Sequence, residues 1–286
     1  MRETRGERTF RVINAFLLVL IALCMLLPFM HVISQSFSED RYVVAGSVGV
    51  LPKGFSLNAY IFAFNDTPIL TAFRNTIVIT LAGTILALIT ETITAYPLSI
   101  PNLRGRKFVM YFYVFTMLFS AGMIPGFLLM RTLGLLNNLW SMILPHMLNV
   151  FNMILLKNYF EGLPDAISES AMMDGANHYI ILLRIIVPMS MPILATITLF
   201  TAVEFWNSYF NAMLYLSDPR KITLQLFLVN LVKQANTTDA ITSDIIVQPD
   251  TVRSASVMIA LVPILLVYPF VQRFFVTGIT LGSVKG

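Results

Sequence analysis

Charge and cysteine are both scarce in this sequence. Only 12% of its 286 residues are charged, and Cys24 is the single cysteine. One cysteine can form neither a disulfide within the chain nor a cysteine metal site. The net charge of +4 is small and spread thinly along the chain, which gives no basis for binding nucleic acid. These absences exclude a disulfide framework and argue against a nucleic-acid partner.

Motifs for nucleotide chemistry and covalent catalysis are also missing. The spacing G-x-x-x-x-G-K-[ST] of a phosphate-binding loop occurs nowhere in the sequence, and no nucleophile stands at a recognisable spacing from a base. We therefore expect no enzyme activity and no bound cofactor in this chain. If the function of this chain is driven by ATP, another polypeptide must hydrolyse the ATP.

Apolar residues dominate instead. They make up 57% of the chain, and the mean hydropathy is +0.77, more than a soluble domain of this length needs. Because a segment in lipid must satisfy its own backbone hydrogen bonds, we predict an all-α polytopic membrane protein. Six apolar runs are predicted to cross the bilayer: residues 12–33, 71–97, 108–130, 139–156, 185–216 and 255–276.

The first apolar run is predicted to be retained as a membrane span that kinks near Pro28. It is longer than the apolar core of a signal peptide, and no small-residue cleavage site follows it. We divide the chain into a segment with the first span and an extracytoplasmic loop (1–70), a transmembrane core (71–277) and a tail (278–286).

The distribution of positive charge predicts the orientation. With both termini in the cytosol, eleven of the 19 Lys and Arg residues lie on the inner side. The bias is sharper in the short connections, where the basic turn after the second span holds three of these residues. This orientation also places the segment between the fourth and fifth spans in the cytosol.

That segment, residues 161–192, is predicted to form two short helices joined by a hinge. Pro164 suits the first turn of a helix, Gly175 can end that helix with a positive φ, and Asn177 can cap a second helix. The first helix is amphipathic: Asp165 and Glu169 share one face. The spacing of four also brings together Leu163, Ile167 and Ala171. An exposed amphipathic hairpin of this kind can be gripped by a soluble partner.

Two carboxylates lie within the apolar runs, where charge is costly. Glu91 is near the cytosolic end of its span, so we expect it to reach water and to be structural. A stripe of small and polar residues runs along the same span: Thr76, Thr80, Thr84, Ala87, Glu91 and Thr94. We expect this stripe to serve close helix packing rather than a transport path.

The second carboxylate belongs to a polar stripe that is predicted on the fifth span. Its members follow the spacing i, i+3, i+4, i+7 of one helix face: Glu204, Asn207, Ser208 and Asn211. Trp206 and Tyr209 flank them. Amides and a carboxylate beside aromatic rings would suit a carbohydrate. Hydrogen bonding between helices, with the two aromatic residues in an interfacial belt, explains the pattern equally well.

A second polar set lies on the fourth span and consists of His146, Asn149 and Asn152. We include the two asparagines in a candidate substrate path. No second histidine or acid stands at ligand spacing from His146, so we predict no metal site there.

The hairpin carries a motif that resembles a known family. Glu169-Ser170-Ala171, Gly175 and the run Ile185-Ile186-Val187-Pro188 are similar to the E-A-A…G…I-x-L-P signature of permease subunits in binding-protein-dependent ABC importers. The resemblance implies a type I importer fold in which the hairpin docks on a cytosolic ATPase subunit. It assigns this coupling role to Glu169, Ser170, Ala171, Asp174, Gly175 and Pro188.

Further segments resemble the maltose-type, carbohydrate-uptake branch of that family. They are residues 130–138 (MRTLGLLNN), 143–145 (ILP), 204–207 (EFWN), 216–219 (LSDP) and the tail 278–286, and Ser120–Pro125 is similar to a sub-branch for complex oligosaccharides. The resemblance covers nearly the whole chain.

The resemblance also implies the surroundings of the chain. It implies a bacterial inner-membrane complex with a second homologous permease subunit, a different chain, and two cytosolic ATPase subunits that hold ATP and magnesium. An extracytoplasmic binding protein would deliver an oligosaccharide, either neutral or acidic, for alternating-access import. An ATP-independent transporter or facilitator is the rival interpretation, against which the exposed hairpin and the missing inverted repeat both argue.

Overall fold

The computed structural model describes residues 5–235 and 248–283, and the regular structure in these ranges is helical. One isolated bridge pairs Ser38 with Phe55. The helices are α1 (Arg5–Ser36), α2 (Asp40–Val44), α3 (Asn58–Asp66), α4 (Ile69–Ser99), α5 (Arg106–Leu118), α6 (Met123–Thr132), α7 (Trp140–Ile143), α8 (Val150–Glu161), α9 (Asp165–Met173), α10 (His178–Ile181), α11 (Val187–Met189), α12 (Met191–Trp206), α13 (Tyr209–Tyr215), α14 (Leu224–Ala235) and α15 (Pro249–Ser283). The all-α prediction is confirmed.

Backbone contacts divide the chain into two compact units. One unit joins the described residues of 1–70 to those of 228–262, and the other joins residues 71–227 to the described residues from 263 onward. The first unit combines segments that are distant in sequence. The predicted tail, 278–286, lies partly outside the described residues.

In the first unit, helix α1 ends in a cluster of buried polar side chains. Ser34, Ser36 and Ser38 are buried, and the Tyr60 hydroxyl of α3 donates a hydrogen bond of 2.9 Å to Ser36 Oγ. Burial raises the pKa of the Tyr60 phenol. The Thr251 hydroxyl, near the start of α15, donates to Asp40 Oδ1 at 2.7 Å. The segment that we predicted as a plain loop therefore holds two helices and a defined polar core.

In the second unit, α4 is the central packing element. Thr76, Thr84, Ala87 and Glu91 of its small-and-polar stripe are buried, so the packing prediction for this face is confirmed. Gly83 lies so close to the Phe205 ring that a Cβ atom on it would be 2.6 Å from the ring. The absence of a side chain at Gly83 thus allows α4 to pack closely against α12.

Several predicted spans are broken rather than continuous. Among the residues that the structure describes, three helices are long and apolar enough to cross a bilayer, at Arg8–Ser36, Ile69–Ser99 and Pro249–Leu266. The third predicted span is instead α5 and α6, bent by 109°, and the start of the fifth is a pair of helical stretches bent by 82° at Ser190. The prediction of one continuous helix was wrong for the third span, whereas the bend in the fifth lies between Pro188 and Pro192, the two prolines that interrupt its sequence. The six-span count stays a prediction.

Local chemistry explains the breaks. Gly122, just before α6, has a φ of +86°, and a non-glycine residue rarely adopts that conformation. Pro192 sits in the first turn of α12, where its missing N–H is tolerated. The fourth predicted span is likewise not one helix, since α7 gives way to a 3-10 turn that contains Pro145 and α8 starts afresh after Asn149. Helix α1, in contrast, continues through Pro28.

Candidate functional site

The hairpin between α8 and α12 has the local structure that its sequence predicts. Helix α9 begins directly after Pro164 and ends at Met173, and Gly175 then turns the chain with a φ of +82°. Asn177 caps α10, because its side-chain oxygen accepts the Ile180 N–H at 2.9 Å. The start signal, the glycine stop and the asparagine cap are therefore all confirmed.

The two faces of the hairpin differ sharply. Leu163, Ala171 and Ala176 pack against a buried cluster that includes Ile181. The opposite face is exposed and mixes acidic with apolar residues: Asp165, Glu169, Ser170, Met172, Met173, Asp174 and Tyr179. Met173 is 89% exposed and Tyr179 is 77% exposed. This surface has the composition of a docking site rather than of a solvated turn.

The residues that were assigned to ATPase coupling are divided between these faces. Glu169, Ser170, Asp174 and Gly175 lie on the exposed surface, whereas Ala171 is half-buried against the inner cluster. Pro188 lies in α11, in the part of the hairpin that leads into α12, and is exposed. Four of the six residues are thus grouped where a partner can reach them.

An ion cluster fixes the base of the hairpin. Glu161, the last residue of α8, pairs with Arg106 at the start of α5 and with Lys157 at 2.7 Å. All three side chains are partly buried, with the lysine only 13% exposed. A half-buried pair is less screened than a surface pair, so this cluster anchors the hairpin to α5. No sequence pattern predicted the contact between Arg106 and Glu161.

The asparagines of the fourth predicted span bind protein groups. Asn149 caps α8 by accepting the N–H groups of Phe151 and Asn152. The Asn152 side chain is 3% exposed and lies between Glu91 and Thr201. Glu91 itself is fully buried, so our expectation that it reaches water was wrong. Its span continues to Ser99, two turns beyond Glu91, which keeps the carboxyl inside the packed unit.

The polar stripe predicted on the fifth span does not share one helix face. Helix α12 ends at Trp206, Asn207 and Ser208 stand at the break, and α13 starts at Tyr209. The Asn207 amide donates to the Val203 carbonyl at 3.0 Å, an oxygen near the end of its own helix. Asparagine and serine compete with the backbone for hydrogen bonds and so favour helix ends. The single-face prediction was therefore wrong.

The break in the fourth predicted span and the break between α12 and α13 nevertheless lie close together. Asn211 Nδ2 of α13 lies 3.1 Å from His146 Nε2 in the 3-10 turn, and the His146 ring lies edge-on to Phe205. Trp206 contacts the Phe73 ring edge-on and is half-buried, while Glu204, Asn207 and Tyr209 remain exposed. Irregular backbone at membrane depth occurs where it is buried in protein or lines a polar cavity. The two breaks are therefore the best candidates for a polar path through this unit.

Two segments that are distant in sequence meet at Asn137. This residue has a φ of +57°, and its side-chain oxygen accepts the backbone N–H groups of Ser217 and Asp218 at 2.6 and 3.0 Å. Hydrogen bonds from Arg220 hold the pKa of the Asp218 carboxyl below its usual value, so this carboxylate is charged at neutral pH. Residues 130–138 and 216–219, which both resembled the carbohydrate branch, thus form one structural junction.

Comparisons with known proteins agree with this geometry. The chain is 41% identical over 284 residues to the polygalacturonan/rhamnogalacturonan transport system permease protein YtcP of Bacillus subtilis, covering 98% of this chain and 99% of that protein. It is 38% identical to the protein LplC of the same organism, over 100% of this chain and 98% of the relative. No family model matches the chain.

A solved structure gives the same answer for the fold. A bacterial ABC transporter involved in the import of the acidic polysaccharide alginate contains a chain that is 38% identical, with a TM-score of 0.89, over 96% of this chain and 99% of that one. A chain in an alginate ABC transporter structure with a pentasaccharide-bound periplasmic protein, at 15% identity and a TM-score of 0.61, shows the fold alone.

The fold and the exposed hairpin define a membrane permease of the ABC importer class. Within that class, the chain belongs to the permease proteins for oligosaccharide and polysaccharide import. The family resemblance that we drew from residues 161–192 is confirmed. The rival interpretation, an ATP-independent transporter, is not favoured.

Proposed function

We propose that this chain is one half of a heterodimeric permease that imports acidic oligosaccharides. Its partners are a second, different permease chain, two cytosolic ATPase subunits and an extracytoplasmic binding protein that delivers the sugar. The chain itself is not an enzyme, since ATP and magnesium are held by the ATPase subunits. Both termini lie in the cytosol of a bacterial cell with the chain in its inner membrane.

The exposed face of the hairpin is the observation that supports ATPase docking. Met172, Met173 and Tyr179 offer apolar area, and Glu169 and Asp174 add negative charge at its edge. The inner face is held by packing and the base by the Arg106–Glu161 pair, so the surface is rigid before it binds. A preformed helical face loses little entropy on entering a groove.

The relatives support an acidic substrate. YtcP is named for polygalacturonan and rhamnogalacturonan, and the structural relative imports alginate. These polymers consist wholly or partly of uronic acids, sugars with a carboxylate. The proposed path residues lie at or next to the two breaks: Asn149, Asn152, Glu204, Trp206, Asn207, Tyr209 and Asn211. Exposed amides and aromatic rings there suit a sugar chain, while Asn149 and Asn152 support the backbone of the path.

The substrate proposal predicts a selective response. In proteoliposomes that contain the assembled importer and its binding protein, uronate oligosaccharides should stimulate ATP hydrolysis, whereas neutral oligosaccharides of equal length should not. Asn207→Leu should impair uptake by removing an exposed amide at the break, without reducing the amount of assembled complex. The matched control is Ser217→Ala, an exposed hydroxyl outside the break. Equal stimulation by neutral sugars, or unchanged uptake by Asn207→Leu, would contradict the proposal.

The orientation predicts a labelling pattern. Cys24 is the only cysteine, so Cys24→Ser gives a background without thiols. In that background we expect a membrane-impermeant thiol reagent, added outside intact cells, to label Leu51→Cys and to leave Met173→Cys unlabelled. Both positions are exposed, so accessibility in the folded chain does not differ between them. Labelling of Met173→Cys in intact cells would contradict the predicted orientation.

A further inference from the structure

The break in the fourth predicted span is held from outside, by α4. Between the 3-10 turn and α8, residues 147–149 fall within the fourth predicted span and are not helical. The Thr90 hydroxyl is within hydrogen-bonding reach of the Met147 carbonyl, and Glu91 Oε1 accepts the Asn149 N–H at 3.1 Å. The single Thr90 proton is shared between the Met147 carbonyl and the Leu86 and Ala87 carbonyls of its own helix, while Glu91 satisfies the donor at the other end of the break.

Glu91 also connects a third helix to the break. The Asn152 amide of α8 lies 3.4 Å from Glu91 Oε1 and 3.3 Å from Thr201 Oγ1 on α12. One buried carboxyl oxygen is therefore the meeting point of α4, the start of α8 and, through Asn152, α12. Asn152 and Thr201 are both 3% exposed, and Glu91 is fully buried.

This arrangement does not suit direct contact with a sugar. The second carboxyl oxygen, Oε2, is also buried, and it has no hydrogen-bond partner within the part of the chain that the structure describes. A substrate would have to separate α4, α8 and α12 to reach it. Among the described residues, the hydrogen bonds of Glu91 are to the Asn149 N–H at the break and to the Asn152 amide in the first turn of α8, and its role follows from these two.

We propose that Glu91 is a positioning residue for transport, which ties the break in the fourth span to α4 and α12 so that the three helices move together. The inference rests on the proposed function, since it assigns a role within the transport cycle. The backbone groups at a break must stay paired in each conformation that the permease adopts. The hairpin directly follows α8, so a break that is held firmly transmits movement along α8 to the ATPase surface.

The test measures coupling in the assembled complex. Glu91→Leu keeps the approximate volume but removes the acceptor for the Asn149 N–H, whereas Glu91→Gln keeps an acceptor oxygen without charge. We expect Glu91→Leu to lower the ratio of sugar-stimulated to basal ATP hydrolysis about tenfold, equivalent to about 1.4 kcal/mol. The sugar concentration for half-maximal stimulation should not change, since Glu91 does not touch the sugar. Glu91→Gln should restore most of the ratio.

Thr84→Val is the matched control. Thr84 is buried on the same face of α4, and its hydroxyl has no hydrogen-bond partner among the described residues, so the isosteric change removes no bond. It should leave the ratio unchanged. If wild-type complex shows no sugar-stimulated hydrolysis at all, the proposed function fails; if wild type responds and Glu91→Leu responds equally, the positioning role alone is wrong.

Other outcomes also decide the question. A Glu91→Gln variant as impaired as Glu91→Leu would show that the charge is required, which contradicts the hydrogen-bond account. A selective shift in half-maximal concentration for one oligosaccharide would make Glu91 a substrate contact. If Glu91→Leu fails to assemble, Asn152→Leu keeps the bond between Glu91 and the Asn149 N–H and removes both bonds of the Asn152 amide, to Glu91 and to Thr201. It should assemble and lose part of the stimulation, and full stimulation would overturn the proposal.

Discussion

Replacing Gly175 by valine is expected to abolish the response of the ATPase to sugar while leaving the chain in the membrane. Gly175 has a φ of +82°, where a β-branched side chain costs about 1–3 kcal/mol of backbone strain. No atom would obstruct the new Cβ, so the penalty is one of backbone conformation and not of space. The turn would relax, and the exposed face of α9 would change its angle relative to α10.

The measurement is co-purification of the ATPase subunits with the tagged permease, followed by sugar-stimulated hydrolysis. Both should fall for Gly175→Val. Gly175→Asn is the control, because asparagine tolerates the left-handed region, and it should keep most of the binding. Glu169→Lys should also weaken binding, by reversing a charge on the exposed face rather than by strain. Normal co-purification and stimulation of both Gly175→Val and Glu169→Lys would mean that the hairpin is only a connector.

Replacing Gly83 by leucine is expected to prevent stable assembly of the second unit. The first atom of the new side chain would already lie 2.6 Å from the Phe205 ring, and that ring is buried in a cluster with residues of α4, α6, α7 and α13. Overpacking of this kind typically costs about 1–3 kcal/mol, and the leucine adds three further carbons. In lipid the cost is acute, because close packing is a main source of helix association.

The amount of monodisperse permease after detergent extraction measures this effect. Leucine is a good helix former, so a loss reflects packing and not helix propensity. A matched pair is Gly83→Ala and Gly126→Ala: at Gly126 a Cβ would meet only the Tyr215 hydroxyl at 3.8 Å, an ordinary contact. The first should lower the thermal midpoint and the second should not. Adding Phe205→Ala should recover part of the loss in Gly83→Leu, and an unaffected Gly83→Leu protein would contradict the contact.

The hairpin could be predicted from sequence because its signals are local. Pro164, Gly175 and Asn177 each act within three or four residues through a missing N–H, a permitted positive φ or a capping oxygen. The exposed face that we propose for ATPase docking followed from the same local amphipathic pattern. Nothing beyond the neighbouring turn had to be known.

The path region could not be predicted in this way, because its structure depends on partners far along the chain. The spacing of Glu204, Asn207 and Asn211 fits an uninterrupted helix, but the structure has a break there, and beside it Asn211 contacts His146, which lies 65 positions earlier in the chain. Glu91 seemed close to water when its position in the span was counted, yet residues some 60 and 110 positions later surround it. The Asn137 junction is equally non-local.

The hydrogen bonds between α4 and residues 147–149 also bear on how the protein is made. Helix α4 leaves the ribosome before the broken span does, so Thr90 and Glu91 are already in the bilayer when the unpaired backbone groups of Met147 and Asn149 arrive. The break therefore enters lipid beside a helix that can shield it, and its exposure to hydrocarbon is brief. With the order of these segments reversed, the same bonds could form only after the break had waited unprotected. Because synthesis runs from the N-terminus, the helix that bonds the break is made before the break itself.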